Sequence, residues 1–135
     1  MQGGKEVKRI VVSVQNGLLA EAITMMLNDS GEFQPFRIPV TNKKSDVLEN
    51  CEMLSADILL AEVSYAVGTT IETRLKEVKE VRDRIPGCKI VLLCDENSAP
   101  DIAREVMLAK RDGLIDNFFY SSVTEKYLLA ALVSL

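Results

Sequence analysis

The sequence predicts an α/β fold, a single doubly wound three-layer sandwich in which five parallel strands lie in the order 2-1-3-4-5 between two layers of helices. Short, β-branched apolar runs alternate with longer amphipathic segments along the whole chain. The short runs are apolar throughout, as in parallel strands buried on both faces, and right-handed crossovers then give the doubly wound topology. A chain of 135 residues has the common size of one domain. We therefore expect one domain over residues 1–135, with a flexible segment at residues 1–8.

The first β-α unit and the second strand follow directly from the pattern. Residues 10–14 are mostly β-branched and predict a strand. The next segment has apolar residues at helical spacing, with Asn16 as a candidate N-cap and Gly31 as a candidate left-handed helix end. Apolar residues alternate over 36–40, but two nearby prolines each lack a backbone donor, so this second strand is expected at a sheet edge.

The middle of the chain predicts a helix, a strand and a long helix. Residues 43–54 have the apolar spacing of a short helix. Residues 58–63 are apolar except for Glu62 and predict the third strand. Apolar residues recur at helical spacing over 71–85, and Pro86 ends this helix, whose charged outer face is expected to be solvated.

The last third of the chain predicts two further β-α units. Residues 90–93 form the most apolar strand, and residues 98–110 predict a fourth helix that Gly113 ends. Residues 114–120 predict a fifth strand rich in aromatic residues, and a capping box at residues 122–125 predicts the start of the last helix. The inward face of that helix is expected to consist of Leu128, Leu129, Leu132 and Val133.

Composition excludes most of the common catalytic and binding chemistries. The chain has no histidine, which removes Ser-His-Asp and Cys-His nucleophile systems, histidine-ligated zinc and histidine phosphotransfer. Its net charge is −4 and its pI about 4.9, so direct contact with nucleic acid is not expected. Neither of the glycine-rich phosphate-binding motifs is present. We therefore do not expect an enzyme.

The sequence also predicts a cytoplasmic protein that makes no membrane contact. Its apolar runs are far shorter than the ~20 residues that cross a bilayer, and its polar start does not resemble a signal peptide. The three cysteines, Cys51, Cys88 and Cys94, form no C-x-x-C motif, and a reducing compartment is the simplest explanation. We expect buried, inert thiols, with a redox role for Cys94 as the alternative.

Functional residues in such a sheet gather where the strands end at their carboxyl edge. In this sequence that edge falls at Val14 and Gln15, at Glu62, at Cys94 and at Ser121. Glu62 closes an otherwise apolar strand, and a solvated rim explains a charge there better than the core does.

The chain resembles the receiver domains of bacterial response regulators over its whole length. The segment ADILLAE at residues 56–62 is similar to the third strand of that family, and PGCKIVLLC at residues 86–94 is similar to the fourth. DNFFYS at residues 116–121 is similar to the fifth strand, in which an aromatic residue precedes an active-site lysine by three positions. The resemblance implies the flavodoxin-like receiver fold and a place in two-component signal transduction.

Members of the family are phosphorylated on an aspartate beside one bound Mg²⁺. This sequence departs from the family at each position that this chemistry requires. The phospho-acceptor corresponds to Glu62, and the acidic pair after the first strand corresponds to Val14 and Gln15. Cys94 replaces a threonine or serine, and Ser121 replaces the lysine. The resemblance therefore implies a degenerate receiver, with no Mg²⁺ cofactor and no phosphotransfer.

Two of the matching positions have alternative interpretations. Glu62 is either an imitation of a phosphorylated aspartate or a solvated carboxylate, and the second is favoured because a carboxylate carries less charge than a phosphoryl group. Phe118 matches the family's switch aromatic, whose rotation follows the hydroxyl on the fourth strand. With Cys94 in place of that hydroxyl, a packed core aromatic is the default.

The leading hypothesis is a regulatory module that acts by docking, without phosphorylation. Receivers commonly dock or dimerise through the fourth helix, fifth strand and fifth helix, which here span residues 98–135, and we expect a protein partner or a second copy there. The candidate contact residues are Met107, Leu108, Tyr120 and Tyr127. The alternatives are an active receiver with unusual ligands and a small-molecule sensor that uses a vacated rim pocket at Val14, Gln15 and Cys94.

Overall fold

Strands and helices alternate along the residues that the computed structural model describes, which are 6–40, 46–95 and 100–135. All strand pairs are parallel, and the strand order in the sheet is 2-1-3-4-5, so the predicted doubly wound fold is confirmed. The elements are β1 (Lys8–Ser13), α1 (Gly17–Ser30), β2 (Phe33–Arg37), α2 (Asp46–Met53), β3 (Ile58–Val63), α3 (Ile71–Arg84), β4 (Lys89–Cys94), α4 (Pro100–Arg111), β5 (Asn117–Tyr120) and α5 (Glu125–Val133).

The central strands are apolar along their length because helices cover both faces of the sheet. Leu59 lies in a core shared with α2, α3 and α4, whereas Leu60 lies in a second core shared with α1 and α5. Successive residues of a strand point to opposite faces, so a strand of this sheet needs apolar side chains at every position. Within the described ranges, no helix combines the length and apolar character required to span a membrane.

The second strand lies at the edge of the sheet, as its prolines predict, but it begins three residues earlier than expected. It spans Phe33–Arg37 and not residues 36–40, and Pro35 lies opposite Ile10 of β1. Ile38 follows the strand, is buried, and donates its N–H to a carbonyl of β1 at 3.0 Å. The alternating apolar pattern over residues 36–40 therefore included Ile38, a core residue that packs beyond the end of the strand.

Side-chain caps fix the starts of two helices on opposite sides of the sheet. The Asn16 side chain accepts the N–H of Leu19 at the start of α1, as predicted, and Gly31 ends that helix with a positive φ of 71°. Thr70 caps α3 by accepting the N–H of Thr73 at 3.3 Å. These bonds satisfy N–H groups that have no partner within the helix.

The start and inward face of α5 differ from the prediction. Thr124 is the N-cap, since its hydroxyl accepts the N–H of Tyr127 at 3.2 Å. The helix does begin within residues 122–125, at Glu125, but the predicted capping box is wrong because its first residue, Ser122, is not the N-cap. Leu132 is fully buried, as expected, but Val133 is 41% exposed. Each residue turns a helix by about 100°, which carries Val133 away from the sheet.

Further differences between the predicted and the observed structure concern the ends of strands and helices. The predicted fifth strand is too long, because residues 114–116 lead into β5 without belonging to it. The predicted helix starts at 43 and 98 lie outside the described residues, as do residues 1–5 of the expected flexible segment. The helices themselves are confirmed from Asp46 and from Pro100 onward.

Two aspartates reinforce strand pairing at the amino edge of the sheet. Asp57 precedes β3 and accepts the backbone N–H of Arg9 at 2.8 Å. Asp116 precedes β5, accepts the backbone N–H of Ile90 at 2.7 Å and binds the Arg82 guanidinium at 2.6 Å. Each carboxylate thus joins two neighbouring strands where their backbone ladder begins.

Replacing Leu27 by Ala is expected to lower the free energy of unfolding by about 2–5 kcal/mol, since the side chain is fully buried between α1 and the sheet. Leu18 of the same helix is 82% exposed, so Leu18→Ala should change stability by less than about 0.5 kcal/mol. Urea unfolding of the two variants measures the difference. Equal losses would contradict the assignment of the buried face of α1.

Candidate functional site

The carboxyl edge of the sheet brings the predicted site positions together. Val14 and Gln15 follow β1, Glu62 lies near the end of β3, Cys94 ends β4 and Ser121 follows β5. These four strands are adjacent and parallel, so their ends meet at one edge. The carbonyl of Cys94 accepts the N–H of Ser121 at 2.8 Å, which extends the β4–β5 pairing to the rim.

The carboxylate of Glu62 is bound by the loop between β1 and α1. Its Oε1 atom accepts the backbone N–H of Gln15 at 2.8 Å and that of Asn16 at 3.4 Å. Asn16 is the N-cap of α1, so the carboxylate lies at the positive end of the helix dipole. The half-buried Glu62 side chain therefore links β3 to the start of α1 through backbone donors.

Two of the rim positions have side chains that belong to the core. Val14 and Cys94 are each 1% exposed, and they lie in the two cores on opposite faces of the sheet. Burial raises the pKa of the Cys94 thiol to about 12, so it stays protonated at neutral pH. Gln15 is exposed and contributes its backbone N–H to Glu62. In the part of the chain that the structure describes, no three acidic or cysteine side chains form a metal-binding cluster.

A buried arginine, absent from the predicted site, lies beneath the rim. Arg74 is near the start of α3 and is 1% exposed. Its Nε donates to the carbonyl of Glu62 at 2.7 Å, and its Nη2 donates to the carbonyl of Ser13 at 2.8 Å. Its Nη1 binds the Glu77 carboxylate at 3.1 Å. The guanidinium thus joins the ends of β1 and β3 from inside the protein.

Burial determines the electrostatics of this arginine. Burial lowers the pKa of Arg74, while the negative charges of Glu77 and Glu62 oppose that shift. Burial likewise raises the pKa of Glu77, and the charge of Arg74 opposes it. Each charge therefore depends on its partner, and removal of either would leave a buried charge uncompensated.

Helical spacing already contained the information that identifies Arg74 as buried. It lies three residues after Ile71 and four residues before Val78, both of which are buried on the inner stripe of α3. Glu77 follows it by three residues, which places the two side chains side by side on the helix. A charged residue at a core position with an opposite charge one turn away indicates a buried ion pair.

Aromatic residues occupy the rim at its other end. The Phe118 ring is half-buried and packs edge-on against Tyr120, with centroids 6.2 Å apart. The ammonium of Lys110 lies 5.8 Å from the Phe118 centroid. Four candidate contact residues on α4, β5 and α5 are exposed. They are Met107 (57%), Leu108 (38%), Tyr120 (41%) and Tyr127 (63%).

A groove between α1 and α5 adjoins the rim below Ser121. Its volume is about 200 Å³, and its walls are mainly apolar, with Met26 and Leu93 among them. Ser121 and Glu125 are its polar lining residues. The groove is separate from the positions of Val14 and Cys94.

Replacing Arg74 by Met is expected to lower the free energy of unfolding by about 3–5 kcal/mol, because it leaves the buried Glu77 charge without its partner. Arg84→Met is the matched control on the same helix. The Arg84 side chain is 63% exposed and lies 3.4 Å from Glu52, so its loss should cost less than about 1 kcal/mol. Urea unfolding measures both, and an Arg74→Met variant as stable as the control would contradict the role assigned to the guanidinium.

No protein-family model and no curated protein matches the sequence. Solved structures do match it. A DNA-binding response regulator of the LuxR family from Staphylococcus aureus has a TM-score of 0.74 at 12% identity, over 95% of this chain and 98% of that one. The signal receiver domain of NarL from Mycobacterium tuberculosis has a TM-score of 0.72 at 17% identity, over 96% of each chain.

The isolated REC domain of RcsB from Salmonella enterica serovar Typhimurium, solved with the phosphomimetic BeF₃⁻, is a third match. Its TM-score is 0.69 at 16% identity, over 94% of this chain and 86% of that one. In all three cases the match covers nearly the whole of this chain, and so includes all five strands of its sheet. This chain therefore has the fold of the response-regulator receiver domains.

Proposed function

We propose that this chain is a degenerate receiver that acts without phosphorylation, as a signalling or transcription-regulatory module that docks to another protein or to a second copy of itself. The observation that carries the proposal is the binding of the Glu62 carboxylate by the N–H groups of Gln15 and Asn16. Glu62, which corresponds to the phospho-acceptor, is therefore already hydrogen-bonded to other residues of the same chain.

The donor set at the rim does not fit Mg²⁺, so we propose no metal cofactor. A hard divalent cation needs several oxygen ligands, usually including carboxylates. Val14 supplies no side-chain oxygen and is buried, and Gln15 supplies at most a neutral amide oxygen. The Glu62 carboxylate is bound to backbone donors, and Ser121 carries no positive charge to stabilise a transferred phosphoryl group. An enzymatic role is therefore not part of the proposal.

The docking function rests on the exposed apolar residues of α4, β5 and α5. Met107, Tyr120 and Tyr127 are each more than two-fifths exposed. Aromatic residues and methionine are enriched at protein interfaces, which supports this face as the contact surface. A net charge of −4 favours a protein over a nucleic acid as the partner, and the proposed location is the cytoplasm.

The groove between α1 and α5 favours a small-molecule sensor as the second candidate function. The sequence-based version of this hypothesis used a vacated pocket at Val14, Gln15 and Cys94, but the first and last of these side chains fill the cores. The groove offers an apolar lining, the Ser121 hydroxyl and the Glu125 carboxylate instead. An apolar molecule with a cationic or donor group would match that lining. The active receiver with unusual ligands has no comparable support.

Addition of Mg²⁺ and then of beryllofluoride is expected to leave the amide NMR signals of Gln15, Glu62 and Ser121 unchanged at millimolar concentration. The reason is that the rim lacks the carboxylate oxygens that would bind Mg²⁺ and the ammonium group that would bind beryllofluoride. A phosphorylatable receiver domain, titrated in the same buffer, serves as the positive control. Saturable shifts clustered at these three positions would contradict the proposal and favour the active receiver.

Replacing Met107 by Asp is expected to abolish docking, because a carboxylate would be desolvated at the centre of an apolar contact. Met25→Asp is the matched control, since Met25 is also 57% exposed but lies on α1. Sedimentation velocity measures self-association, and capture on the immobilised chain measures binding of another protein. Loss of association in both variants, or in neither, would contradict the assignment of the surface.

A further inference from the structure

A cleft lies between the starts of α3 and α4, on the face of the sheet opposite α1 and α5. Its volume is about 310 Å³. Neither Met107 nor Tyr127 of the docking face proposed above lines it. We call it the α3–α4 cleft, and the lining residues that matter below are Tyr65, Ile71, Glu72, Asp101, Ile102 and Glu105.

The α3–α4 cleft carries a concentrated negative charge. Glu72 and Asp101 lie in the first turns of α3 and α4, and Glu105 lies one turn further along α4. All three are exposed, and none of their carboxylates forms an ion pair or a hydrogen bond with the residues that the structure describes. Among the described lining residues, none is basic. A helix N-terminus contributes about half a positive charge, so the three carboxylates outweigh the two helix ends.

The arrangement of these carboxylates favours a ligand with several separate positive charges. The three do not form a group that could hold one metal ion, so their charge is spread along the cleft. Arginine side chains would match it, because a guanidinium pairs with a carboxylate through two parallel hydrogen bonds and also stacks on an aromatic ring. The cleft offers such a ring in Tyr65, and the buried Ile71 and Ile102 give it an apolar lining.

The loop between β3 and α3 presents apolar side chains beside the cleft. Tyr65 is 64% exposed and Val67 is 70% exposed. The buried Thr69 closes this loop, since its carbonyl accepts the N–H of Ser64 at 2.8 Å and the two hydroxyls are 2.6 Å apart. A loop that is already fixed in one conformation has little freedom to lose when a partner binds. Its exposed side chains are therefore suited to an apolar contact.

We propose that the α3–α4 cleft and this loop form a second docking surface, which binds an arginine-rich, apolar segment of a partner protein. Charge complementarity selects this occupant. Guanidinium groups of the segment pair with the three carboxylates of the cleft, and its apolar side chains pack on Tyr65 and Val67. The same carboxylates repel a nucleic acid, and a second copy of this chain would itself bring a net charge of −4.

Titration of the full chain with a capped octapeptide of alternating leucine and arginine tests the proposal. At about 0.15 M salt, exposed charges more than ~8 Å apart are largely screened, so binding that depends only on net charge is weak. We expect saturable amide NMR shifts at Tyr65, Glu72 and Glu105, and none at Leu18 or Glu21 of α1. Octapeptides with glutamate in place of arginine, or serine in place of leucine, should bind about tenfold more weakly or not at all.

Substitutions at exposed positions locate the binding without threatening the fold. The double variant Glu72→Gln, Glu105→Gln should weaken binding of the leucine–arginine peptide about tenfold, because it removes two of the three charges in the cleft. Val67→Ser should weaken binding through the lost apolar contact. Glu21→Gln and Leu18→Ser are the matched controls, since both residues are exposed on α1, and they should leave binding unchanged. Isothermal titration calorimetry measures each dissociation constant.

Three results would overturn the proposal: no saturable binding at millimolar peptide, shifts spread evenly over the surface, or equal losses in the cleft variants and the controls. Binding that is lost in Met107→Asp and kept in the Glu72→Gln, Glu105→Gln double variant would overturn it as well, because the peptide would then occupy the face formed by α4, β5 and α5. The reverse pattern would support the cleft, whether or not that other face docks a partner.

Discussion

The buried guanidinium of Arg74 holds the carboxyl edge of the sheet together. A parallel sheet presents carbonyl oxygens at that edge, and those of Ser13 and Glu62 receive their hydrogen bonds from this one side chain. The same guanidinium carries the positive charge that faces both Glu77 and Glu62. The position of β1 relative to β3, and with it the loop that binds the Glu62 carboxylate, therefore depends on a cation that belongs to the protein.

The sequence predicts the fold well because burial on both faces leaves a clear apolar pattern. Residues 58–63 match β3 at both ends, since the run is apolar except for Glu62 and is bounded by Asp57 and Ser64. The pattern fails where an apolar residue packs outside its element, as Ile38 does after β2. It also fails at α5, where the Ser-x-x-Glu spacing predicts Ser122 as the N-cap. The N-cap is Thr124, which has the extended backbone conformation of a cap.

The positions of the candidate site were predictable, but its contacts were not. Strand ends place Gln15, Glu62 and Ser121 at one edge, and this follows from topology alone. The bonds to the Glu62 carboxylate come from backbone N–H groups, whose direction depends on a loop conformation that residue types do not specify. The side chains of Val14 and Cys94 lie in the two cores. Successive side chains of a strand point to opposite faces of the sheet, and helices cover both faces.

The hydrogen bonds between the Glu62 side chain and the start of α1 bear on how the proposed module could be controlled. Its carboxylate already occupies backbone donors at the start of α1, so this contact forms as soon as the chain folds and needs no kinase or phosphatase. Under the proposed docking function, the module would have one working state, and its occupancy would follow mass action. Output is then set by the number of copies relative to the dissociation constant for the partner, through synthesis, degradation and competition among binding proteins.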